Sequence, residues 1–150
     1  MKAKFVSASD GPAYQVLGST MTVKADVEET GGAYEMVVCE TRRGADVMPH
    51  RHPWAESYFM LDGELEVQIG GRTHITTTGD FLTIPSRAVQ GFRVLSDTAR
   101  FLHISIGEGA TAAFDDIDAH LPGPAGPEDL PVMLEIAARH GVKLLLPTHA

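Results

Sequence analysis

Three side chains with metal-binding chemistry lie close together near position 50 of the sequence. His50 and His52 are two residues apart, so on an extended strand both imidazoles point to the same side. Glu56 follows at the start of an apolar segment, and on a strand its side chain would face the same side as Tyr58 and Met60. Two imidazoles and a carboxylate on one side are the composition of a metal site that keeps open coordination positions. This stretch therefore predicts a site for one divalent metal ion.

The carboxylate of Glu56 distinguishes a metal site from a histidine pair that occurs on the surface by chance. A His-x-His pair by itself is weak evidence, because such pairs also occur by chance on protein surfaces. A glutamate that faces the same way as Tyr58 and Met60 is costly to bury unless it is paired or bound to a metal. We therefore expect Glu56 to have a partner, and a metal ion shared with His50 and His52 provides one.

Short predicted strands must position these residues. Glycine and aspartate turn signals separate segments rich in β-branched and aromatic residues. The predicted strands are 33–41, 56–61, 64–69, 72–77, 81–84 and 100–106. In the strand 64–69, alternation places Glu64 and Glu66 in water and turns Leu65 and Val67 inward. Short strands without helices between them predict an antiparallel sandwich or barrel and exclude a Rossmann-type parallel sheet.

The pattern changes after about residue 108, where helices are predicted. One helix covers 111–120, and a second runs from Pro127, which suits a first helical turn, to Gly141, which can end it. The apolar residues of the second helix are expected on one face: Leu130, Met133, Leu134 and Ala137. We predict a barrel over 1–108 and a helical extension over 109–150 packed on it, within a single domain.

Composition limits the partners of the chain. The net charge is −8 over 150 residues, which disfavours binding to nucleic acid phosphates. No apolar stretch approaches the length of a membrane span, and the single cysteine, Cys39, excludes an internal disulfide. We expect a cytoplasmic protein with a small-molecule substrate and no nucleic acid or membrane partner.

The residues around His50 resemble the first motif of the cupin family. That motif has a glycine, a His-x-His pair, a glutamate and a second glycine, and it is matched at every position by Gly44, His50, His52, Glu56 and Gly63. The resemblance implies a mainly β fold, a double-stranded β-helix (jelly-roll, or cupin, barrel) with C-terminal helices. The pattern is most similar to small single-domain quercetin-dioxygenase-like cupins, and such cupins are commonly homodimers. The segment 15–26 is a candidate intersubunit strand.

The second cupin motif is matched only in part. Gly79 and Pro85 are in place, but Arg87 stands where the family has glycine and Gln90 where it has a histidine ligand. Glutamine ligates only through its neutral amide oxygen. Gln90 is thus a fourth ligand, a group that holds a metal-bound water, or the sign of a site that has lost tight binding. The expected ion is Fe, Mn, Ni, Co or Zn.

Further residues are expected around the metal. His103 has the parity of Phe101 and Ser105, whereas Arg100 should face water, so His103 is predicted to point inward as a core histidine or as a substrate-contacting group. An apolar, aromatic lining is predicted from four residues, each of which is also a plausible core residue: Trp54, Tyr58, Met60 and Phe92.

The resemblance implies a metal-dependent enzyme of the dioxygenase type that acts on a small enolisable or aromatic molecule, such as a flavonol or polyketide. Glu56 is expected to ligate the metal and accept a substrate proton, while His103 or Tyr58 hydrogen-bonds the bound oxyanion. Two alternatives remain. One is a non-redox metal-dependent cyclase, isomerase or lyase, and the other is a non-catalytic cupin that binds a small molecule.

Overall fold

Strands make up most of the protein, and two helices follow them. The computed structural model describes residues 1–146. The strands are β1 (Ala13–Val16), β2 (Ser19–Ala25), β3 (Tyr34–Arg42), β4 (Val47–Arg51), β5 (Glu56–Asp62), β6 (Leu65–Ile69), β7 (Arg72–Thr76), β8 (Phe81–Ile84), β9 (Gln90–Val94), β10 (Thr98–Ile106) and β11 (Lys143–Leu144). The helices are α1 (Ala110–His120) and α2 (Leu130–Arg139), with a 3₁₀ turn at Pro127–Asp129.

The strands form two antiparallel sheets that enclose one core. The first sheet has the order β1-β2-β3-β10-β5-β8, and the second has the order β11-β4-β9-β6-β7. This arrangement confirms the predicted mainly β, jelly-roll fold with C-terminal helices. The first sheet includes β1 and β2, which form a hairpin whose second strand pairs with β3. Most of the segment 15–26 is therefore already paired within the chain.

Alternation along the strands fills the barrel interior. Leu65 and Val67 of β6 are buried while Glu66 between them is partly exposed, as predicted. Phe101 and Met60 are among the most deeply buried side chains and come from neighbouring strands. Burial of these side chains supplies the main stabilisation of the barrel.

Two strand pairings determine where the candidate site residues meet. In the first sheet β10 lies between β3 and β5, so that Ser105 is opposite Glu56 and His103 is opposite Tyr58. In the second sheet β4 pairs with β9, and His50 is opposite Gln90. Residues far apart in sequence thus converge from both sheets on one region of the interior.

The C-terminal segment packs on the barrel and then joins it. Helix α1 contacts β1, α2 contacts α1, and β11 pairs with β4 at Arg51 and His50. No helix among residues 1–146 is long and apolar enough to cross a membrane. The division into a barrel over 1–108 and an extension over 109–150 stays a prediction, and the last four positions of that extension lie outside the described residues.

One prediction about α2 is wrong. Leu134 was expected on the buried face, but it is 42% exposed, whereas Ile136 is only 4% exposed. The spacing i, i+3, i+4, i+7 also fits Met133, Ile136, Ala137 and His140, which is the face that packs against α1 and β11. Both sets of residues satisfy the helical spacing, and packing against α1 and β11 determines that the set with Ile136 is buried.

Candidate metal centre

Glu56 is the centre of a buried polar cluster. Its side chain is only 4% exposed, and its Oε2 lies 2.6 Å from Nε2 of His103. Its other oxygen, Oε1, lies 3.4 Å from Nε2 of His52 and accepts a hydrogen bond of 3.4 Å from the hydroxyl of Tyr58. The expectation that this carboxylate needs partners is met by the His103 imidazole and the Tyr58 phenol, with the His52 imidazole close by.

The partners of Glu56 determine its charge. Burial alone would raise the pKa of the Glu56 carboxyl, but the charge and hydrogen bond of His103 outweigh burial and hold that pKa well below its usual range. Burial and the nearby carboxylate raise the pKa of Tyr58. Glu56 is therefore an anion at neutral pH, and the protonated Tyr58 hydroxyl donates a hydrogen bond to it.

The backbone fixes the tautomers of the two motif histidines. Nδ1 of His50 lies 2.9 Å from the carbonyl oxygen of Met48, and Nδ1 of His52 lies 2.9 Å from that of Trp54. Each Nδ1 donates its hydrogen to the carbonyl, so the neutral form of each ring carries its lone pair on Nε2. Burial lowers the pKa of His50 and favours the neutral ring. Neutral imidazoles with a fixed Nδ1–H are the form that binds a metal through Nε2.

Gln90 contacts the same histidine. It is 2% exposed, and its amide Nε2 lies 3.2 Å from Nε2 of His52. The amide donates a hydrogen bond to the lone pair of His52. Rotation of the amide by 180° would bring its oxygen to the same place, which is the orientation that a ligand role requires.

These residues have donor atoms of the right chemical types for a metal ion, but the atoms are not arranged around one point. Within the described part of the chain, no three His, Cys, Asp or Glu side chains lie in an arrangement that holds a metal ion as they stand, and Oε2 of Glu56 is turned to His103. The donor set of neutral imidazole, carboxylate and amide suits Fe, Mn, Ni, Co or Zn. The residues therefore fit such an ion in the chemistry of their donor atoms, and a ligand role for Gln90 requires its amide to turn.

The predicted aromatic lining divides into two groups. The Trp54 indole stacks on the His52 imidazole, with 4.0 Å between ring centroids and an interplanar angle of 12°. Tyr58, Met60 and Phe92 belong to the hydrophobic core, where Tyr58 and Phe92 both contact Phe101. Their role in lining a substrate site stays a prediction.

Two cavities lie away from the predicted site residues. One, of about 450 Å³, opens on the outer side of the first sheet and includes Gln15, Glu40 and Arg42 in its walls. The other, of about 80 Å³, is an apolar space between the two helices and β11. None of the predicted site residues lines either cavity.

Two polar residues near the cluster were missed by sequence reasoning. Ser105 is 1% exposed and lies opposite both Glu56 and Glu35, on either side of β10. Glu35 is fully buried and accepts hydrogen bonds from the backbone N–H and the hydroxyl of Thr111 at the start of α1. Strand parity was the available signal for both residues, because Ser105 shares it with His103 and Glu35 shares it with Val37 and Cys39.

Comparison with known proteins finds similarity to one family over part of the chain. The family model described as "Cupin domain" matches residues 37–105. Quercetin 2,3-dioxygenase of Bacillus subtilis (strain 168) is 27% identical over 96 residues, which cover 63% of this chain. The match spans only 28% of that relative's own length.

Solved structures agree with this fold. KdgF from Halomonas sp. superposes with a TM-score of 0.64 at 18% identity, over 71% of this chain and 96% of that one. The polyketide cyclase RemF from Streptomyces resistomycificus gives a TM-score of 0.63 at 23% identity, over 71% and 81% of the two chains. The two-sheet barrel, the complete first motif and these similarities support the assignment of the chain to the cupin superfamily.

Proposed function

We propose that this chain is a metal-dependent cupin enzyme, of the small quercetin-dioxygenase-like type, that acts on a flavonol-like or polyketide-like enolisable molecule. The observation that carries the proposal is the buried cluster in which Glu56 lies between His52 and His103, with both motif histidines held in the metal-binding tautomer. The likeness to a relative named quercetin 2,3-dioxygenase supports the substrate class and the dioxygenase type.

Four residues would hold the ion: His50, His52, Glu56 and Gln90. A bound divalent ion supplies Lewis-acid polarisation of a substrate oxygen and, if it is redox-active, the means to use dioxygen. The three ligands of the first motif come from the short stretch 50–56, and Gln90 approaches from the paired strand β9. This arrangement leaves coordination positions free for a chelating substrate.

The surrounding side chains act on the substrate proton and oxyanion. Glu56, ionised in the protein, accepts the enol proton, and His103 holds the carboxylate in place through the contact of 2.6 Å. The protonated Tyr58 hydroxyl donates a hydrogen bond at the same carboxylate. Trp54 shields His52 from water by stacking on its ring.

A second candidate function is favoured by the Glu56–His103 contact itself. A buried carboxylate and imidazole 2.6 Å apart form a pair suited to proton transfer, which cyclisation, isomerisation and elimination need and which requires no oxidant. The same site residues thus support a non-redox cyclase, isomerase or lyase. Dioxygen consumption separates the two candidates.

Metal content of the purified protein tests the proposed site. We expect elemental analysis to find about one divalent ion per chain in protein prepared without chelator. His52→Ala should lose the ion and the thermal stabilisation that the ion gives, because metal binds the folded state preferentially. The control is His74→Ala, which changes an exposed histidine on β7. Unchanged metal content in His52→Ala contradicts the site.

Turnover tests the reaction. An oxygen electrode with quercetin should show dioxygen uptake in proportion to substrate consumed, whereas the non-redox alternative converts an enolisable substrate without uptake. Glu56→Gln keeps an oxygen for the metal but cannot accept a proton, so turnover should fall more than metal occupancy. A metal-loaded Glu56→Gln variant with full turnover would exclude Glu56 as the base.

A further inference from the structure

Three buried polar atoms in the described part of the chain have no hydrogen-bond partner: Trp54 Nε1, His103 Nδ1 and Ser105 Oγ. Buried polar groups in folded proteins are nearly always paired, so each exception requires an explanation such as a bound ligand or water. Three exceptions in one region call for a common explanation.

All three residues adjoin the Glu56 cluster. Ser105 is directly opposite Glu56 in the pairing of β10 with β5. His103 lies on the same face of β10, two residues earlier, and binds Glu56 through its other nitrogen. Trp54 stacks on His52. The three atoms without partners thus belong to residues that contact, or lie opposite, two of the proposed metal ligands, His52 and Glu56.

The two carboxylates opposite Ser105 on the neighbouring strands already take part in other contacts. Glu35, on the other side of Ser105, is bound by the backbone N–H and hydroxyl of Thr111. Glu56 is contacted by His103, His52 and Tyr58.

The Trp54 indole is held rigidly. The His52 ring covers one part of it at 4.0 Å, and Gly109, just before α1, lies so close that a Cβ there would be 2.6 Å from Cε3 of the indole. A fixed indole N–H is a donor with no ability to accept. Its orientation is therefore a property of the fold and does not depend on a ligand.

We propose that Trp54, His103 and Ser105 form a polar subsite that binds a hydroxyl group of the substrate beside the metal centre. The indole N–H donates to the hydroxyl oxygen, and the Ser105 hydroxyl and the His103 ring nitrogen complete its hydrogen bonds. A hydroxyl, which both donates and accepts, matches this set better than a purely accepting group such as a ketone. The inference rests on the proposed function for its substrate class and adds Ser105 as a substrate-binding residue.

Ligand discrimination by metal-free protein tests the subsite. We use chelator-treated protein and compare the dissociation constants of 3-hydroxyflavone and of flavone, which lacks the hydroxyl. The wild type should bind 3-hydroxyflavone about fivefold more tightly, as expected for one or two hydrogen bonds, and Ser105→Ala should reduce the ratio to near one. Ser57→Ala is the matched control, because Ser57 faces outward on the adjacent strand and contacts Thr83; it should keep the wild-type ratio.

Thermal stability distinguishes a binding role from a structural one. Ser105 Oγ makes no bond in the protein, so Ser105→Ala without ligand should melt at the wild-type temperature or above it. A lower melting temperature with an unchanged ligand ratio would show a hydroxyl that holds a structural water, and would overturn the proposal. If Ser105→Ala does not fold, Trp54→Phe, which keeps a ring but removes the N–H, should lower the same ratio.

The outcome is separable from that of the proposed function. If metal-free wild type binds the two flavones equally, or binds neither, the subsite is wrong. Metal content and dioxygen uptake, measured independently on metal-loaded protein, decide the proposed function in either case. If the metal-loaded enzyme turns over quercetin but the metal-free protein does not prefer 3-hydroxyflavone to flavone, the proposed function stands and the proposed subsite is wrong.

Discussion

At the residue scale, Gln90 is the feature that distinguishes this site from the second cupin motif. Its amide donates to the lone pair of His52 that a metal would use, so metal binding and this hydrogen bond exclude each other unless the amide turns. Because the metal–His52 bond replaces the Gln90–His52 hydrogen bond, the net free energy gained on metal binding is smaller. A site with this residue should bind its metal less tightly than a site with a third imidazole.

Substitution of Gln90 measures this effect. Gln90→His should tighten Ni(II) binding about tenfold, because an imidazole nitrogen is the stronger ligand for late transition metals. Gln90→Leu should weaken binding without abolishing it, since three ligands remain. Calorimetric titration of Ni(II) into chelator-treated protein gives both affinities, with Gln68→Leu, an exposed change on β6, as the control. Wild-type affinity in both Gln90 variants would show that Gln90 does not act on the metal.

Individual side-chain directions were predictable where strand parity was clear. His103 was expected to point inward because Arg100 had to face water, and it is 5% exposed. The close contact of His103 with Glu56 was not predictable, because it depends on β10 lying beside β5 across a long separation in sequence. Periodicity gives the face of a residue but not the identity of its neighbour.

At the element scale, one carboxylate joins the two helices. Asp116 of α1 accepts hydrogen bonds from Nε and Nη2 of Arg139, at 2.9 and 3.0 Å, and its Oδ2 lies 2.8 Å from Nε2 of His140. The hydrogen bonds from Arg139 and His140 hold the pKa of Asp116 well below its usual range. A two-pronged contact of this kind fixes orientation as well as distance.

The pH dependence of stability tests this contact. Because the folded state lowers the pKa of Asp116 below its unfolded value near 3.8, the contact stabilises the protein above about pH 4 and is lost as the pH falls further. Asp116→Asn should therefore lower the melting temperature at pH 7 and flatten its decline below pH 4. Asp115→Asn, at an exposed neighbour, should behave as wild type. Parallel melting curves for Asp116→Asn and wild type at all pH values would contradict the prediction.

Elements were predicted best where their own residues determine them. The strand 81–84 and the helix 111–120 agree with β8 and α1 to within one residue, because turns and periodicity delimit both. Strand β9 and the two-residue β11 were not predicted. Gln90–Val94 contains a glycine and an arginine and has little intrinsic strand signal, and β11 is a strand only because β4 lies beside it.

At the scale of the whole molecule, the outer face of the first sheet carries an apolar row. Phe81 is 62% exposed and Phe59, directly opposite it, is 38% exposed. Leu102, which is partly buried, lies opposite Phe59 on the next strand. Contiguous exposed apolar side chains on a sheet are typical of surfaces that contact another protein.

The homodimer expected from the family resemblance stays a prediction, and this row is where we would test it. Sedimentation of the wild type should give twice the chain mass, and Phe81→Lys should shift the equilibrium toward the monomer by placing a charge in the row. Phe5→Lys, at a residue 91% exposed near the N-terminus, is the control. A monomeric wild type, or a Phe81→Lys variant that stays dimeric, would exclude this surface as the interface.

The pairing of β11 with β4 has a consequence for biosynthesis. The ribosome makes β4, with His50, long before it makes Lys143 and Leu144, which cover the free edge of that strand. Until then the nascent sheet has an open edge of unpaired backbone groups, which is a template for pairing with other chains. The sheet beside His50 therefore closes only after Lys143 and Leu144 have been made. Any delay in that step prolongs the period in which nascent chains can aggregate.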